Sequence, residues 1–402
     1  MVSDRIAGTA DAHRSGPVPD PVGLLTAAAT TAAHQPEWSS PWLAGQVRED
    51  LSRLPGLVSA EDVAALRARL ALVASGGALV VQAGDCAEDP DRCEPVHVRA
   101  KVALLDALAE VVTARSGLPV VRVGRLAGQF AKPRSRPTER VAGVELPVYR
   151  GAMVNDPRPD PAARVPDPLR MLDCHELSTS VVEALAAERR DPGAEVWTSH
   201  EALVLDYEVP LLRPTDGGLL LASAHLPWIG ERTRQVDGAH VRLLASVVNP
   251  VACKVGPTTT ADELRRLCAV LDPHREPGRL TLIARMGADR VRDVLPGLVR
   301  AVREAGHPVV WLCDPMHGNT VTGPDGLKVR VVTTLVRELE GFQDAVRAQG
   351  GVDGGVHLEA TPEEVAECAW TADERPTGPR TTLCDPRLSR RQAVAVLSAW
   401  RA

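Results

Sequence analysis

Residues 249–287 read NPVACKVGPTTTADELRRLCAVLDPHREPGRLTLIARMG, and their rhythm decides the fold. Two short apolar runs, Val251–Val255 and Leu280–Ala284, flank a segment, Ala261–Leu271, whose apolar residues recur at helical spacing. Strand, helix and strand in that order make a crossover unit with parallel strands. The alternation continues in both directions. Runs with strand character lie at Ala78–Gln82, Pro119–Val123, Glu195–Thr198, Leu219–Ala222, Val309–Leu312 and Val356–Glu359, and Val291–Glu304 is a further helical segment. Eight units in roughly 320 residues fit a closed (β/α)8 barrel. An open doubly wound sheet should offer a nucleotide-binding glycine turn, and the nearest candidate, Gly124–Gly128 in VGRLAGQF, lacks the GxGxxG spacing. The expected fold is therefore α/β, a (β/α)8 TIM barrel with an N-terminal helical extension. Residues 1–20, rich in Gly, Pro, Ala and charge, are expected to be loosely ordered. Residues 21–75 form the helical extension, on the spacing of Leu51, Leu54 and Leu57 and of Ala64, Leu66, Leu70 and Leu72. Residues 76–402 form the barrel.

Composition narrows the class. With 46 Lys+Arg against 52 Asp+Glu the 402-residue chain has a net charge of −6, so no basic surplus exists to bind nucleic acid through an overall field. The first residues, MVSDRIAGTADAHRSG, hold no apolar signal core, and no apolar run is long enough to span a membrane. Eight Cys without a CxxC pair fit a reducing cytoplasm. With only two Phe and two Tyr, the core must be built mostly from Val, Leu and Ala.

Function in a barrel collects at the C-terminal ends of the strands. Two chemical populations follow the apolar runs. One comprises Cys86, His317, Glu359 and Asp385: a thiolate, an imidazole and two carboxylates, which suit a divalent transition metal such as Mn, Fe, Co or Zn. Singly, each has an ordinary reading, a small buried thiol or a turn-capping carboxylate, so their joint placement carries the argument. The other is cationic: Arg125, Lys132, Arg134, Arg232, Lys254 and Arg285. Lys254 interrupts an apolar strand and alternates with Cys253, which points it into the barrel mouth, since an unpaired buried Lys is costly. Cations converging on the mouth of an acidic protein imply phosphate-bearing anions. A metal beside them implies the joining or cleaving of small phosphorylated molecules.

The strings GDCAE (84–88), GQFAKPRS (128–135), WTSHEALVLDYE (197–208), WIGERTRQVDGAH (228–240), KVGP (254–257), GRLTLIARMG (278–287), CDPMHGNT (313–320) and CDPRL (384–388) together resemble the class II 3-deoxy-D-arabino-heptulosonate 7-phosphate (DAHP) synthases. The match runs in order from about Trp38 to Leu388. The resemblance implies a TIM barrel with added N-terminal helices that condenses phosphoenolpyruvate with erythrose 4-phosphate and releases phosphate, opening the shikimate route to chorismate and the aromatic amino acids. It implies metal ligation by Cys86, His317, Glu359 and Asp385, with manganese or cobalt first and zinc or iron as alternatives. Phosphoenolpyruvate would be held by Arg125, Glu231, Arg232, Lys254 and Arg285, and the sugar phosphate by Lys132, Pro133, Arg134 and Ser135. By the same motifs Glu201 would act as a supporting or catalytic acid, and proton handling is expected of Lys254, with Glu231 acting through a water.

The resemblance also implies a cytoplasmic homo-oligomer, a dimer or larger. Two departures stand out. Family members often read RGDN where this chain has Arg150-Gly151-Ala152-Met153, which removes an acidic group near the mouth. The segment between Arg150 and Trp197 is shorter than in feedback-regulated members, so weak or no inhibition by Phe, Tyr and Trp is expected, as in enzymes that feed secondary metabolism. An aminoDAHP synthase using an imino sugar phosphate, and a non-catalytic scaffold relative, are the rival functions. Cys384 beside Asp385 raises a Cys86–Cys384 disulfide on metal loss, with two reduced thiols as the alternative.

Overall fold

The computed structural model describes residues 32–141, 143–188, 195–323 and 326–402. The expectation for residues 1–20, and for the first part of the 21–75 extension, lies outside them. Eight parallel strands form one sheet: Leu79–Gly84 (β1), Val120–Arg125 (β2), Val196–Thr198 (β3), Trp228–Ile229 (β4), Val251–Val255 (β5), Leu280–Ala284 (β6), Val310–Cys313 (β7) and Asp353–Glu359 (β8). Their spatial order is β3-β2-β1-β8-β7-β6-β5-β4. The two ends of that order meet. Trp228 N–H donates to His200 O at 3.0 Å, Ala202 N–H to Trp228 O at 3.0 Å and Leu226 N–H to Thr198 O at 3.1 Å, with a parallel bridge between Glu201 and Trp228. The sheet is thus a closed barrel whose backbone groups pair around the circle.

The strands at 251–255 and 280–284 and the helices Ala261–Leu271 and Val291–Glu304 fall where the sequence places them. The fourth strand does not. The run Leu219–Ala222 belongs to an antiparallel hairpin, Gly218–Leu221 against Leu212–Thr215, outside the barrel. Its hydrophobicity serves the joint with the N-terminal layer, since Leu220 and Ala222 pack on Leu57, Val58 and Val63. The true β4 is two residues long and lies in the PWIG string that follows.

Ahead of the barrel lie helices Pro41–Arg53 (α1) and Ala60–Ala74 (α2). Ser40 and Ser59 cap them by accepting from Leu43 N–H and Asp62 N–H, and Pro41 occupies a first-turn position where no donor is needed. The buried stripe of α2 is Val63, Leu66, Leu70 and Val73, spaced three, four and three. Ala64 and Leu72, expected on that face, are exposed. Leu66, Leu70 and Val73 share one core with the inward residues Val80, Val123, Ala252, Ile283, Val310 and Leu312, so α2 plugs the N-terminal end of the barrel. Alternation then decides the strand faces: Cys253 packs outward with Leu264 and Leu267, while Lys254 joins the interior at the opposite, C-terminal mouth.

Leu66→Ala, which hollows the centre of the plug, is expected to cost about 2–5 kcal/mol. The reading is a lower urea midpoint with an unchanged slope. An unchanged midpoint would detach α2 from the barrel core.

Candidate active site

The mouth encloses a cavity of about 990 Å³. Every residue expected to act on or bind substrate lines it: Arg125, Lys132, Pro133, Arg134, Ser135, Glu201, Glu231, Arg232, Lys254 and Arg285. His317 and Asp385 line it too. Cys86, Glu359 and Asp385 offer donor atoms within 4.8 Å of one another. His317 stands beside this trio, its Nε2 3.4 Å from Glu359 Oε1.

These donors suit a divalent cation. His317 Nδ1 lies 2.8 Å from Asp314 Oδ2, so Nδ1 carries the proton and the Nε2 lone pair faces a carboxylate oxygen. Two acceptors facing each other leave a place for positive charge. Burial pushes the His317 imidazole down to about 4, which keeps it neutral near pH 7, the ligand form. Burial pushes the Cys86 thiol well up, and a metal is what offsets that cost for a thiolate. Burial alone would raise the Glu359 and Asp385 carboxyls, but neighbouring cations, Lys132 foremost, outweigh it and hold both low.

The cations divide into two groups. Arg125 (3.0 Å), Lys132 (3.4 Å) and Arg330 (2.7 Å) are bound to the wholly buried Glu359, and Lys328 is bound to Asp385 at 2.6 Å. Arg134 is paired with Glu139 at 3.2 Å, and Lys254 with Asp314 at 2.9 Å. By contrast, Arg136, Arg140, Arg232 and Arg285 line the cavity without an ion pair among the described residues; Arg140 donates to Gly143 O at 3.2 Å and Arg232 to Ser135 Oγ at 2.7 Å. These are the charges left for anionic ligands. Glu201 Oε1 and Glu231 Oε2 are buried without a hydrogen-bond partner, and burial pushes both carboxyls up.

Three further carboxylates hold the mouth loops in place. Glu88 accepts from Ala127, Gly128 and Gln129 N–H (3.2, 2.9 and 2.8 Å), fixing the loop after β2. There Gly128 has a φ of 144°, and a Cβ at that position would collide with the His200 ring. Glu338, on the helix Val332–Ala348, accepts from Met286 and Gly287 N–H (3.0 and 2.8 Å) beside Arg285. Glu367 accepts from Thr381, Thr382 and Arg387 N–H (2.9, 2.8 and 2.8 Å) and carries the loop of Asp385.

Sequence reasoning missed these three anchors, and it missed Arg330 and Lys328, which come from a hairpin after β7 rather than from a strand end. The alternating charges of Lys328-Val329-Arg330-Val331 were their only signal. Ala152 and Met153 do not line the mouth; they are buried in an apolar cluster with Phe130 and Ala131 under the Lys132–Ser135 loop. Cys86 and Cys384 are both free thiols, and a hydrogen bond from Cys86 draws the Cys384 thiol down.

A closed parallel barrel with transition-metal donors and unpaired arginines at its C-terminal mouth defines a (β/α)8 enzyme of small anionic substrates. The comparisons sharpen this: the chain belongs to the class-II DAHP synthetase family, whose model matches residues 25–194 and 192–399. It is 50% identical over 381 residues to a Pseudomonas fluorescens protein named probable phospho-2-dehydro-3-deoxyheptonate aldolase, covering 92% of this chain and 95% of that one. Phospho-2-dehydro-3-deoxyheptonate aldolases of Streptomyces coelicolor (418 residues; 90% and 93% covered) and Mycolicibacterium smegmatis (432 residues; 92% of each) are 40% identical. A solved structure of the Francisella tularensis phospho-2-dehydro-3-deoxyheptonate aldolase shares the fold, with a TM-score of 0.54 at 13% identity over 89% of this chain and 94% of that one.

Glu367→Gln leaves the buried Arg387 with Asp85, at 2.6 Å, as its remaining charged partner and turns one acceptor of the backbone N–H groups into a donor, so it is expected to destabilise the protein by about 1–3 kcal/mol. Urea unfolding measures it. A loss under about 1 kcal/mol would show that the Asp385 loop is held by something else.

Proposed function

We propose that this chain joins phosphoenolpyruvate to erythrose 4-phosphate in the barrel mouth, with a divalent ion, manganese or cobalt first, held by Cys86, His317, Glu359 and Asp385. The observation that carries the reading is one cavity lined by His317 and Asp385, with Cys86 and Glu359 clustered on Asp385, and by Arg232 and Arg285, which have no ion pair among the described residues. When bound there, the ion supplies Lewis acidity to a substrate carbonyl.

The chain's own residues account for the remainder. Arg285 and Arg232 hold the phosphate and carboxylate of phosphoenolpyruvate, with Lys254 and Arg125 at the back of the cavity, so that C3 faces the aldehyde carbon. Lys132, Pro133, Arg134 and Ser135 receive the sugar phosphate, and Arg136, absent from the sequence-based set, adds a cation at that end. Burial pushes the Lys254 ammonium down, and Asp314 holds it. It can therefore release a proton to the oxygen that becomes a hydroxyl when the carbon–carbon bond forms. Glu231, with a partnerless oxygen, orients the water that adds at C2 before the C2–O bond to phosphate breaks. Glu201, likewise partnerless, serves as the supporting acid.

Lys254→Met is expected to lower kcat by about 10²–10⁴-fold, measured as phosphate release and DAHP formation from chelator-stripped protein with Mn or Co restored. Near-normal turnover would remove Lys254 from proton handling. A folded, metal-loaded wild type that is silent with erythrose 4-phosphate but active with an imino sugar phosphate would move the reading to aminoDAHP synthesis.

We further propose that the enzyme is a trimmed form, free of aromatic feedback and suited to secondary metabolism. Two facts support this. The family model matches in two pieces that meet at residues 192–194, just before β3. The alignment with the Streptomyces relative also runs to 418 positions, more than the 402 residues here, so that relative carries insertions. Turnover should be unchanged by Phe, Tyr and Trp, alone or combined. Strong inhibition by any of them at physiological concentration would overturn the proposal. A cytoplasmic homo-oligomer completes the reading, supported by eight free cysteines and by Trp42, 73% exposed on α1.

A further inference from the structure

The interior of the barrel, beneath the mouth, holds a line of polar side chains that runs from the cavity-lining Arg125 down to His357, Gln82 and Ser199, which do not line the cavity. Ser199 Oγ lies 2.8 Å from Gly124 O, Gln82 Nε2 lies 3.0 Å from Ser199 Oγ, Gln82 Oε1 lies 2.7 Å from His357 Nδ1, and His357 Nε2 lies 2.5 Å from Arg125 Nη1. Gln82, Ser199 and His357 have no exposed surface, and Arg125 is 1% exposed.

We propose that Ser199, Gln82 and His357 form a one-way hydrogen-bond relay that fixes the His357 proton on Nδ1 and positions Arg125, which in turn braces the strand ends bearing Cys86 and Glu359. The direction follows from the two ends. A guanidinium only donates, so His357 Nε2 must accept and Nδ1 must carry the hydrogen. Gln82 Oε1 then accepts, which turns its amide NH₂ toward Ser199; Ser199 accepts that bond and spends its own hydrogen on the Gly124 carbonyl, which can only accept. Reversing Gln82 would set two donors against each other at Arg125 and leave the Gly124 carbonyl without its partner. Trp228 holds both ends of the pair, standing edge-on to His357 at 5.2 Å and under the Arg125 guanidinium at 5.2 Å.

The fixed guanidinium has five donors. One on Nε goes to Asp85 O at 2.9 Å, one on Nη1 to His357, and the two on Nη2 to Glu359 Oε1 at 3.0 Å and Cys86 O at 3.3 Å. A single N–H remains, on Nη1, for the cavity that Arg125 lines. Arg125 is therefore chiefly a brace between β1 and β8, not a bidentate fork for substrate. His357 and Gln82 are positioning residues.

The kinetic consequences rest on the proposed DAHP synthase reading; the tautomer does not, so the two can fail separately. The experiment is nitrogen NMR of protein labelled at histidine, near neutral pH, with His357 assigned by loss of its signals in His357→Gln. The expected wild-type result is a proton on Nδ1 and a bare Nε2. In Gln82→Met the Nδ1 bias should weaken, and both Mn affinity and kcat/KM should fall by about 10–100-fold. His357→Leu should do the same, while His357→Gln, whose amide oxygen can replace Nε2 as acceptor, should recover most of the loss. A proton on Nε2 in the wild type would overturn the relay whatever the activity. Unchanged Mn affinity and unchanged kcat/KM in Gln82→Met would overturn the positioning role.

Discussion

The mouth of this barrel is organised around one wholly buried anion, the Glu359 carboxylate at the end of β8. Taking a carboxylate out of water costs several kcal/mol even after relaxation, so it must be paired or it will not stay ionised. Here Arg125 comes from β2, Lys132 from the loop that follows, and Arg330 from a hairpin after β7. One carboxylate thereby ties together segments far apart in the chain. Arg125 extends the tie by gripping the carbonyls of Asp85 and Cys86 across β1. The donor atoms suited to a metal are placed by this arrangement, which is complete from the protein's own groups.

A second tier of buried carboxylates does for loops what Glu359 does for strand ends. Glu88, Glu338 and Glu367 each collect successive backbone N–H groups, which would otherwise be stranded in a dry interior. The loops they fix carry Lys132, Arg285 and Asp385 respectively. The geometry of the mouth thus rests on carboxylates that do not themselves line the cavity, a division of labour in which outer partners orient the groups that do. The cavity-lining cations without an ion pair among the described residues, Arg136, Arg140, Arg232 and Arg285, stand out because so many others are committed.

Much of this was legible in the sequence. Strand–helix alternation pointed to the barrel because each crossover unit must bury one helix stripe against one sheet face, which leaves its pattern in a single chain. The strand-end census named residues that line one cavity, because the strands of a barrel end on one rim. The run Leu219–Ala222 misled for a physical reason: an apolar tetrapeptide reports burial, not the partner it is buried against. Two-residue β4 carried no periodicity to detect. That Lys132 and Arg125, read as anion binders, also pair with Glu359 was not legible, since sequence does not show which carboxylate a cation meets. The relay from Ser199 to His357 was invisible because its members are ordinary inward residues of three different strands and turns, and only closure of the barrel brings them together.

Cys86, His317, Glu359 and Asp385 are proposed to make one metal centre in the mouth. It is tested most directly by titrating chelator-stripped protein with cobalt(II) and following the thiolate-to-cobalt charge-transfer band. A single centre should saturate at one ion per chain, with the band abolished in Cys86→Ser and binding weakened in Asp385→Asn. Cobalt binding without a thiolate band, or equal binding by both variants and the wild type, would contradict it.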